Sequence, residues 1–368
     1  MSFPLGIPGV APQFGSDAIV LQTEGASFEA ILGVAPGAQV YWSFGDGQVA
    51  TGAHPSVVFG AASTRRNRLR VVPWAALETI NLGFDAFDGG DDARYGTPFD
   101  VLPAQLVSSI ERLQLATSLA RLALSSTPSL GSGSSQLVTS LDLSSLASLT
   151  QVEATRIDSL VSVDLSGLTS LVRGAFEGPA GKTILHSLDF SACPLLIDVR
   201  GADNGLTSFA LPLTPLTAMW HLCIRDNPNL ATQLPDLSLF AALTQCWIWN
   251  CNQSGELRIG ADGMQSLLAY SNNYTALDLS AATLVGNVEV QDCAIATIDF
   301  GSCDGLVTFK AQNNALSSSQ VDAALVYIDS LGRNNGECNL TGNAAPTAIG
   351  LAARASLIGR GFTVLVDP

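Results

Sequence analysis

Apolar residues recur along most of this chain in a fixed phrase. Residues 306–316 follow the order L-x-x-L-x-L-x-x-N-x-L, with Leu306, Phe309, Ala311, Asn314 and Leu316 in the fixed places. The template also fits Val285, Val288, Val290, Cys293 and Ile295, and Met264, Leu267, Ala269, Asn272 and Tyr274. It fits Leu243, Cys246, Ile248, Cys251 and, more loosely, Gln253. It fits Met219, Leu222, Ile224 and Asn227, then Leu196, Val199, Gly201, Asn204 and Leu206. Weaker copies begin at Leu171, Leu149, Leu119 and Leu77. The strong copies start at 196, 219, 243, 264, 285 and 306, in steps of 23, 24, 21, 21 and 21 residues. The alternation at the centre of each phrase predicts a short strand with its fixed residues inward and its x residues outward. A second phrase lies between copies: LDLS at 141–144, VDLS at 163–166, LDFS at 188–191, LDLS at 277–280 and IDFG at 298–301.

This is the period of a leucine-rich-repeat solenoid, in which each turn buries its apolar residues against its neighbours alone. The asparagine place is expected to bond backbone groups where the strand turns into the return segment. With its two extended phrases per turn, the stretch 74–317 resembles the internalin-type repeats of bacteria, in which cysteine also occurs in the asparagine place. Cys251 and Cys293 hold that place two turns apart. At a strand spacing of about 4.8 Å their Cα atoms should lie roughly 10 Å apart, too far for a disulfide.

The remainder of the chain breaks the pattern at both ends. The stretch SSSQVDAALVYIDSLG, residues 317–332, carries Val321, Leu325 and Ile328 at helical spacing, with Ser at its start and Gly332 at its end. GECNLTG then predicts a strand, PTAIGLAARASLIGRG a second helix and FTVLVD a last strand. Such an α/β tail would cap the open end of a solenoid. Its NLTGNAAPT stretch looks like the tails of repeat proteins on tailed-phage particles.

Residues 17–73 carry short β-type runs between Gly, Pro and Asp turns, which predicts a small sandwich. Asp46-Gly47 after Trp42 and Phe44 is a hairpin-turn signal. The WSFGDG stretch, Trp42 to Gly47, resembles the PKD domain, an immunoglobulin-like sandwich of extracellular and viral surface proteins. The later P-x-H-x-Y segment of that family is matched only in outline, with Val57 and Phe59 in the His and Tyr places. Ahead of it, Pro4, Pro8 and Pro12 alternate with apolar residues over 1–16. This reads either as an unstructured leader or as an extended arm that docks on a neighbouring chain. The expected fold class is therefore mostly β with an α/β tail. An arm (1–16) precedes an Ig-like β-sandwich (17–73), a leucine-rich-repeat solenoid (74–317) and an α/β capping segment (318–368).

Composition narrows the function. Hydrophobic residues make up 47% and charged residues 13%, enough for a large core, while a net charge of −15 argues against nucleic acid or an anionic membrane surface as partner. No apolar run reaches the ~18–20 residues needed to span a bilayer. The N-terminus lacks the basic and apolar regions of a signal peptide. The seven cysteines form no CxxC pair and read as buried free thiols.

The repeat fixes the register of LTQCWIWNCNQ, residues 243–253. Cys246 and Ile248 take inward places, so Trp247 and Trp249 project outward from the concave sheet. The outward places of the preceding turn are Trp220, His221, Cys223 and Arg225, and those of the following turn are Leu268 and Tyr270. Trp249 should have Arg225 on one side and Tyr270 on the other. Surface aromatics can pack on one another. Flat rings beside Arg and His also suit sugars or a protein hot spot, so Trp220, His221, Arg225, Trp247, Trp249 and Tyr270 form the candidate ligand-binding set. No catalytic residue and no cofactor is expected. A calcium site near Asp85, Asp88, Asp91 and Asp92 is a remote alternative, because the spacing is not that of an EF-hand.

The function expected from these features is that of a non-enzymatic structural and adhesive protein on the surface of a phage particle. The arm or the PKD-like domain would contact other virion proteins, and the concave face would bind a host-surface glycan or protein. A virion protein made in the host cytoplasm needs no export signal. The alternative is a secreted or cell-surface internalin-like adhesin, and a solenoid carbohydrate-active enzyme ranks below both.

Overall fold

The computed structural model describes residues 14, 16–82, 106–124, 137–179 and 185–368. The arm over 1–16 falls almost wholly outside them, and Asp85, Asp88, Asp91 and Asp92 lie outside the described residues. The chain forms two compact units, Met1–Leu185 and His186–Pro368.

In the first unit, β1 (Ile19–Glu29), β2 (Ile31–Val34), β3 (Gln39–Ser43), β4 (Val49–Thr51), β5 (Ser56–Val72), β6 (Leu77–Asn81) and β7 (Leu106–Glu111) precede the repeats. Five of them make an antiparallel sheet in the order β4-β3-β5-β1-β7. The β3–β4 turn forms at the expected place. Gly47 has φ 90° and donates to the Phe44 carbonyl at 3.0 Å, and Asp46 accepts from the Gln48 amide at 3.1 Å. Trp42 is fully buried among Phe28, Phe44 and other apolar residues, and its indole nitrogen donates to the Gly52 carbonyl at 3.1 Å.

The strands do not respect a boundary at 73/74. β7 comes from beyond it, yet pairs with β1. β2 comes from before it, yet pairs with β6, which in turn pairs in parallel with the first repeat strand, β8 (Arg121–Ala123). An edge strand carries unpaired N–H and C=O groups, and these pairings satisfy one side of each.

Repeat strands follow in two series. In the first unit β8, β10 (Gln151–Glu153) and β12 (Arg173–Ala175) pair in parallel, and β9 (Ser140–Asp142) pairs with β11 (Ser162–Asp164) as the return series. In the second unit the main series is β14 (Asp198–Arg200), β16 (His221–Cys223), β17 (Gln245–Trp247), β19 (Ser266–Leu268), β21 (Asn287–Glu289) and β23 (Thr308–Lys310). Its return series is β13 (Ser187–Asp189) with β15 (Ser208–Ala210), and β18 (Ser254–Arg258) with β20 (Asn273–Asp278) and β22 (Thr297–Asp299). Val199, Leu222, Cys246, Leu267, Val288 and Phe309 stand in register as one inward row, each at most 1% exposed. Leu306, Phe309 and Ala311 are buried as the template predicts.

The asparagine place does the bonding expected of it. Asn272 donates to the Ile248, Ala269 and Tyr270 carbonyls at 2.9, 2.9 and 3.3 Å and accepts from the Cys251 and Gln253 amides at 3.0 Å. Asn227 and Asn314 repeat this two-sided role. Cys251 takes over the donor half, its thiol 3.0 Å from the Ile224 carbonyl and 3.3 Å from that of Trp249. The residue before each ladder position is left-handed: Asp203, Asp226, Asn250, Ser271, Asp292 and Asn313 have φ of 53–57°. Short polar side chains tolerate this region best among residues with a Cβ. In the return phrase the aspartate closes a local turn. Asp142, Asp164, Asp189 and Asp278 each accept from the backbone amide two residues on, at 2.9–3.1 Å.

All seven cysteines are free and six are buried. Burial pushes the thiols of Cys193, Cys251, Cys303 and Cys338 up to about 12.

The tail does more than close the end. Helices α1 (Ser318–Ser330) and α2 (Ala348–Gly359) alternate with β24 (Glu337–Asn339) and β25 (Thr363–Leu365), which extend the main series in parallel beyond β23. Asn343 continues the ladder, donating to the Ala311 and Leu340 carbonyls and accepting from the Leu316 amide. Buried Asp322 of α1 accepts from the Thr347 and Gly350 amides at the start of α2.

Candidate binding face

The main series presents its x residues in parallel rows. One row runs Asp198, His221, Gln245, Ser266, Asn287 and Thr308, and the next Arg200, Cys223, Trp247, Leu268, Glu289 and Lys310. Two residues further on, Arg225, Trp249, Tyr270, Gln291 and Gln312 form a third row by the same steps. The residues that follow hold that row in register: the Asp226 amide donates to the Trp249 carbonyl and the Asn250 amide to that of Tyr270, both at 3.0 Å.

The third row is a stack. Trp249 and Tyr270 lie nearly parallel, centroids 5.3 Å apart, and the Arg225 guanidinium sits 5.2 Å from the Trp249 ring. The order Arg225, Trp249, Tyr270 is the one the repeat spacing predicts. Arg225 is fixed by Asp203 at 2.7 Å and Asp226 at 2.9 Å, and the Trp249 indole donates to Asp226 at 3.1 Å. Burial, with Asp226 and Glu289 nearby, pushes the Tyr270 phenol up, so it remains a protonated donor.

The second cluster departs from the expectation. Trp220, Trp247, Trp249 and Tyr270 are half-buried rather than freely projecting. His221, counted among the outward ligand-binding residues, is 3% exposed, and Cys223, at an outward place but read as a buried thiol, is 1% exposed. Neighbouring rings cover them: Trp220 stacks on His221 at 5.2 Å, and Trp247 meets it edge-on at 5.2 Å and 84°. His221 binds Asp198 through Nδ1 at 2.7 Å, and Arg200 binds the same carboxylate at 3.1 Å. Asp198 is fully buried. Burial pushes its carboxyl up, but the His221 and Arg200 contacts outweigh this and hold it below its ordinary value. The sequence carried a signal for this pair: His221 follows Asp198 by 23 residues, one repeat step, so the register sets them side by side.

Five buried side-chain atoms of this face lack a hydrogen-bond partner: His221 Nε2, Trp247 Nε1, Asn287 Oδ1, Gln291 Oε1 and Gln312 Oε1. The three cations of the rows are all paired, Arg200 with Asp198, Arg225 with Asp203 and Asp226, and Lys310 with Glu289 and Glu337. Among the described residues no group of three His, Cys, Asp or Glu side chains could hold a metal ion, and no helix is long and apolar enough to cross a membrane.

No family model and no curated protein matches this sequence. Solved structures do. One is an internalin (inlF) of Listeria monocytogenes, 15% identical over 80% of this chain and 88% of that one, with a TM-score of 0.35. Another is the functional domain of InlJ from the same organism, described as including a cysteine ladder, 16% identical over 73% of this chain and 69% of that one, with a TM-score of 0.32.

Proposed function

We propose that this chain is a non-enzymatic adhesive protein that binds a surface partner through the outer face of its second-unit repeat strands. The observation that carries this reading is the cluster of Trp220, Trp247, Trp249 and Tyr270, half-buried on a sheet face instead of in the core. Aromatic rings of this size concentrate binding energy when a partner covers them. The internalin-type phrase of the sequence favours a secreted or cell-surface adhesin as the setting. The virion-surface setting draws only on the tail motif and the leader, and the similar structures lend it no support.

An enzymatic reading has one feature to answer, the His221–Asp198 pair, which has the form of a base and its orienting carboxylate. A protein nucleophile would have to lie within hydrogen-bond reach of His221 Nε2, and no side chain among the described residues does. The pair is accordingly read as part of the binding face.

The test is adhesion of labelled full-length chain to intact bacterial and animal cells, read by flow cytometry. Saturable binding that falls tenfold or more in Trp249→Ala, with the variant still folded, is expected. Equal binding by wild type and folded Trp249→Ala, or no binding by wild type, overturns the reading.

A further inference from the structure

We infer that the ligand of this face is an uncharged oligosaccharide, with one of its hydroxyls received by His221 Nε2 and the Trp247 indole N–H. The inference rests on the binding reading above and specifies its chemistry.

The starting point is an energetic anomaly. A buried polar atom without a partner is destabilising, because it gives up its hydrogen bond to water and gets none in return. His221 is 3% exposed and its Nε2 is unpartnered, and Trp247 Nε1, on the ring that meets it at 5.2 Å, is unpartnered too. Core packing does not impose this, because the inward places of the same turns are Leu222, Ile224, Cys246 and Ile248. Nδ1 of His221 is bonded to Asp198, so Nε2 is the ring atom left to meet a ligand, as acceptor or donor according to the tautomer, while indole Nε1 offers only a donor. A hydroxyl, which both donates and accepts, serves either arrangement. Both atoms are covered in the free chain, so Trp247 must change rotamer to admit it, a common adjustment at binding surfaces.

The length and charge of the ligand follow from the rest of the face. Asn287, Gln291 and Gln312 add unpartnered amide oxygens, which accept from hydroxyls. From β16 to β23 there are four strand steps, β16-β17-β19-β21-β23. At about 4.8 Å each these span roughly 19 Å, so the ligand is a chain of sugars lying across the strands. Arg200, Arg225 and Lys310 are already neutralised by Asp and Glu, which leaves no cation among the rows to receive a carboxylate or sulfate. The faces of Trp249 are taken by Arg225 and Tyr270, so its part in the contact is the ring surface they leave exposed, and hydrogen bonding is the main source of specificity.

The test uses full-length chain on an array of immobilised neutral and acidic oligosaccharides, with titration by tryptophan fluorescence of any that bind. Binding to a neutral oligosaccharide, with a fluorescence change and a loss of tenfold or more in Trp247→Phe, is expected; that variant keeps a ring but loses the N–H. Gln291→Leu should weaken the same ligand several-fold. Thermal melts of both variants should match wild type. Failure to bind any neutral oligosaccharide, preference for acidic ones, or undiminished binding by Trp247→Phe overturns the inference. Cell adhesion that survives periodate but not protease would overturn it as well, pointing to a protein partner while leaving the adhesive reading in place.

Discussion

Two tryptophans of this molecule occupy opposite environments. Trp42, on the antiparallel sheet of the first unit, is fully buried, stacks on Phe44 with rings 2° from parallel, and gives its N–H to the Gly52 carbonyl. Trp247, on the repeat face of the second unit, is half-buried, meets His221 edge-on at 5.2 Å and Trp249 at 6.5 Å, and gives its buried N–H to nothing. A core position resolves every demand of the side chain within the fold. A position that leaves a demand open, on a face where water or a polar residue would serve stability as well, is arranged for something outside the chain. The comparison gives a physical criterion for separating packing aromatics from binding aromatics, and substitutions can break it.

The largest effect is expected at the packed end. Trp42→Ala should destabilise the first unit by about 3–5 kcal/mol, the usual range for a buried aromatic. Urea unfolding followed by circular dichroism reads the loss. A shift below about 1 kcal/mol would mean that burial does not rank these positions at all.

Next comes the ladder, which is closed by hydrogen bonding in the way Trp42 is. Asn272→Ala leaves the Cys251 and Gln253 amides and the Ile248 carbonyl without this partner, while the Tyr270 carbonyl keeps the Asn250 amide and the Ala269 carbonyl keeps the Cys293 thiol. A loss of about 2–4 kcal/mol is expected, near the low end of about 1 kcal/mol for each of these three groups. Cys251→Ala removes only the weaker thiol donor and should cost less. Equal losses in side-by-side melts would show that the amide and thiol versions of the ladder are equivalent in strength.

Much of this was legible in the sequence, and the parts that were not have a common cause. The template placed Cys246 and Ile248 inside and ordered Arg225, Trp249 and Tyr270, because a two-residue alternation and a fixed repeat step are properties of the backbone. It placed both tail helices and both tail strands, since caps and apolar spacing are local signals. It did not show that His221 is covered, because outward on a strand does not mean exposed when large rings flank the position. It drew the boundary of the first domain at residue 73 and so missed β7, whose Glu111 pairs with Val20 of β1, far away in the sequence. It also missed Asn343 as a ladder member, because the helix α1 interrupts the repeat step before it.

A smaller effect is expected at Trp249. Its removal takes away the stack on Tyr270, the Arg225 contact and the bond to Asp226, all partly exposed. Trp249→Ala should cost about 1–2 kcal/mol, at the low end of the sum of such terms. Trp247→Phe should cost close to nothing, since it deletes an N–H that the fold does not use. A melt in which Trp247→Phe is clearly less stable than wild type would mean that the indole N–H is satisfied in solution, and the contrast with Trp42 would be lost.

The smallest effect concerns pH and the pair beneath the rings. The Asp198 carboxyl lies below its ordinary 3.8 in the folded chain, where the His221 bond and Arg200 outweigh the burial that pushes it up. A depressed carboxyl contributes stability that is fully present above the unfolded value and is lost as pH falls through the folded one. The window for Asp198 therefore opens near pH 3.8 and extends below it, well under the neutral range. Asp198→Asn keeps the shape and removes that titration. Wild type should lose more stability than Asp198→Asn between pH 5 and pH 3, although the variant starts lower because the neutral amide holds Arg200 and His221 less strongly. Urea midpoints measured across that range read the difference of slopes. Parallel slopes would show that Asp198 titrates alike in the folded and unfolded chains, so that the carboxylate under Trp220 and Trp247 is open to water and the buried polar pair on which the comparison with Trp42 depends is not closed in solution.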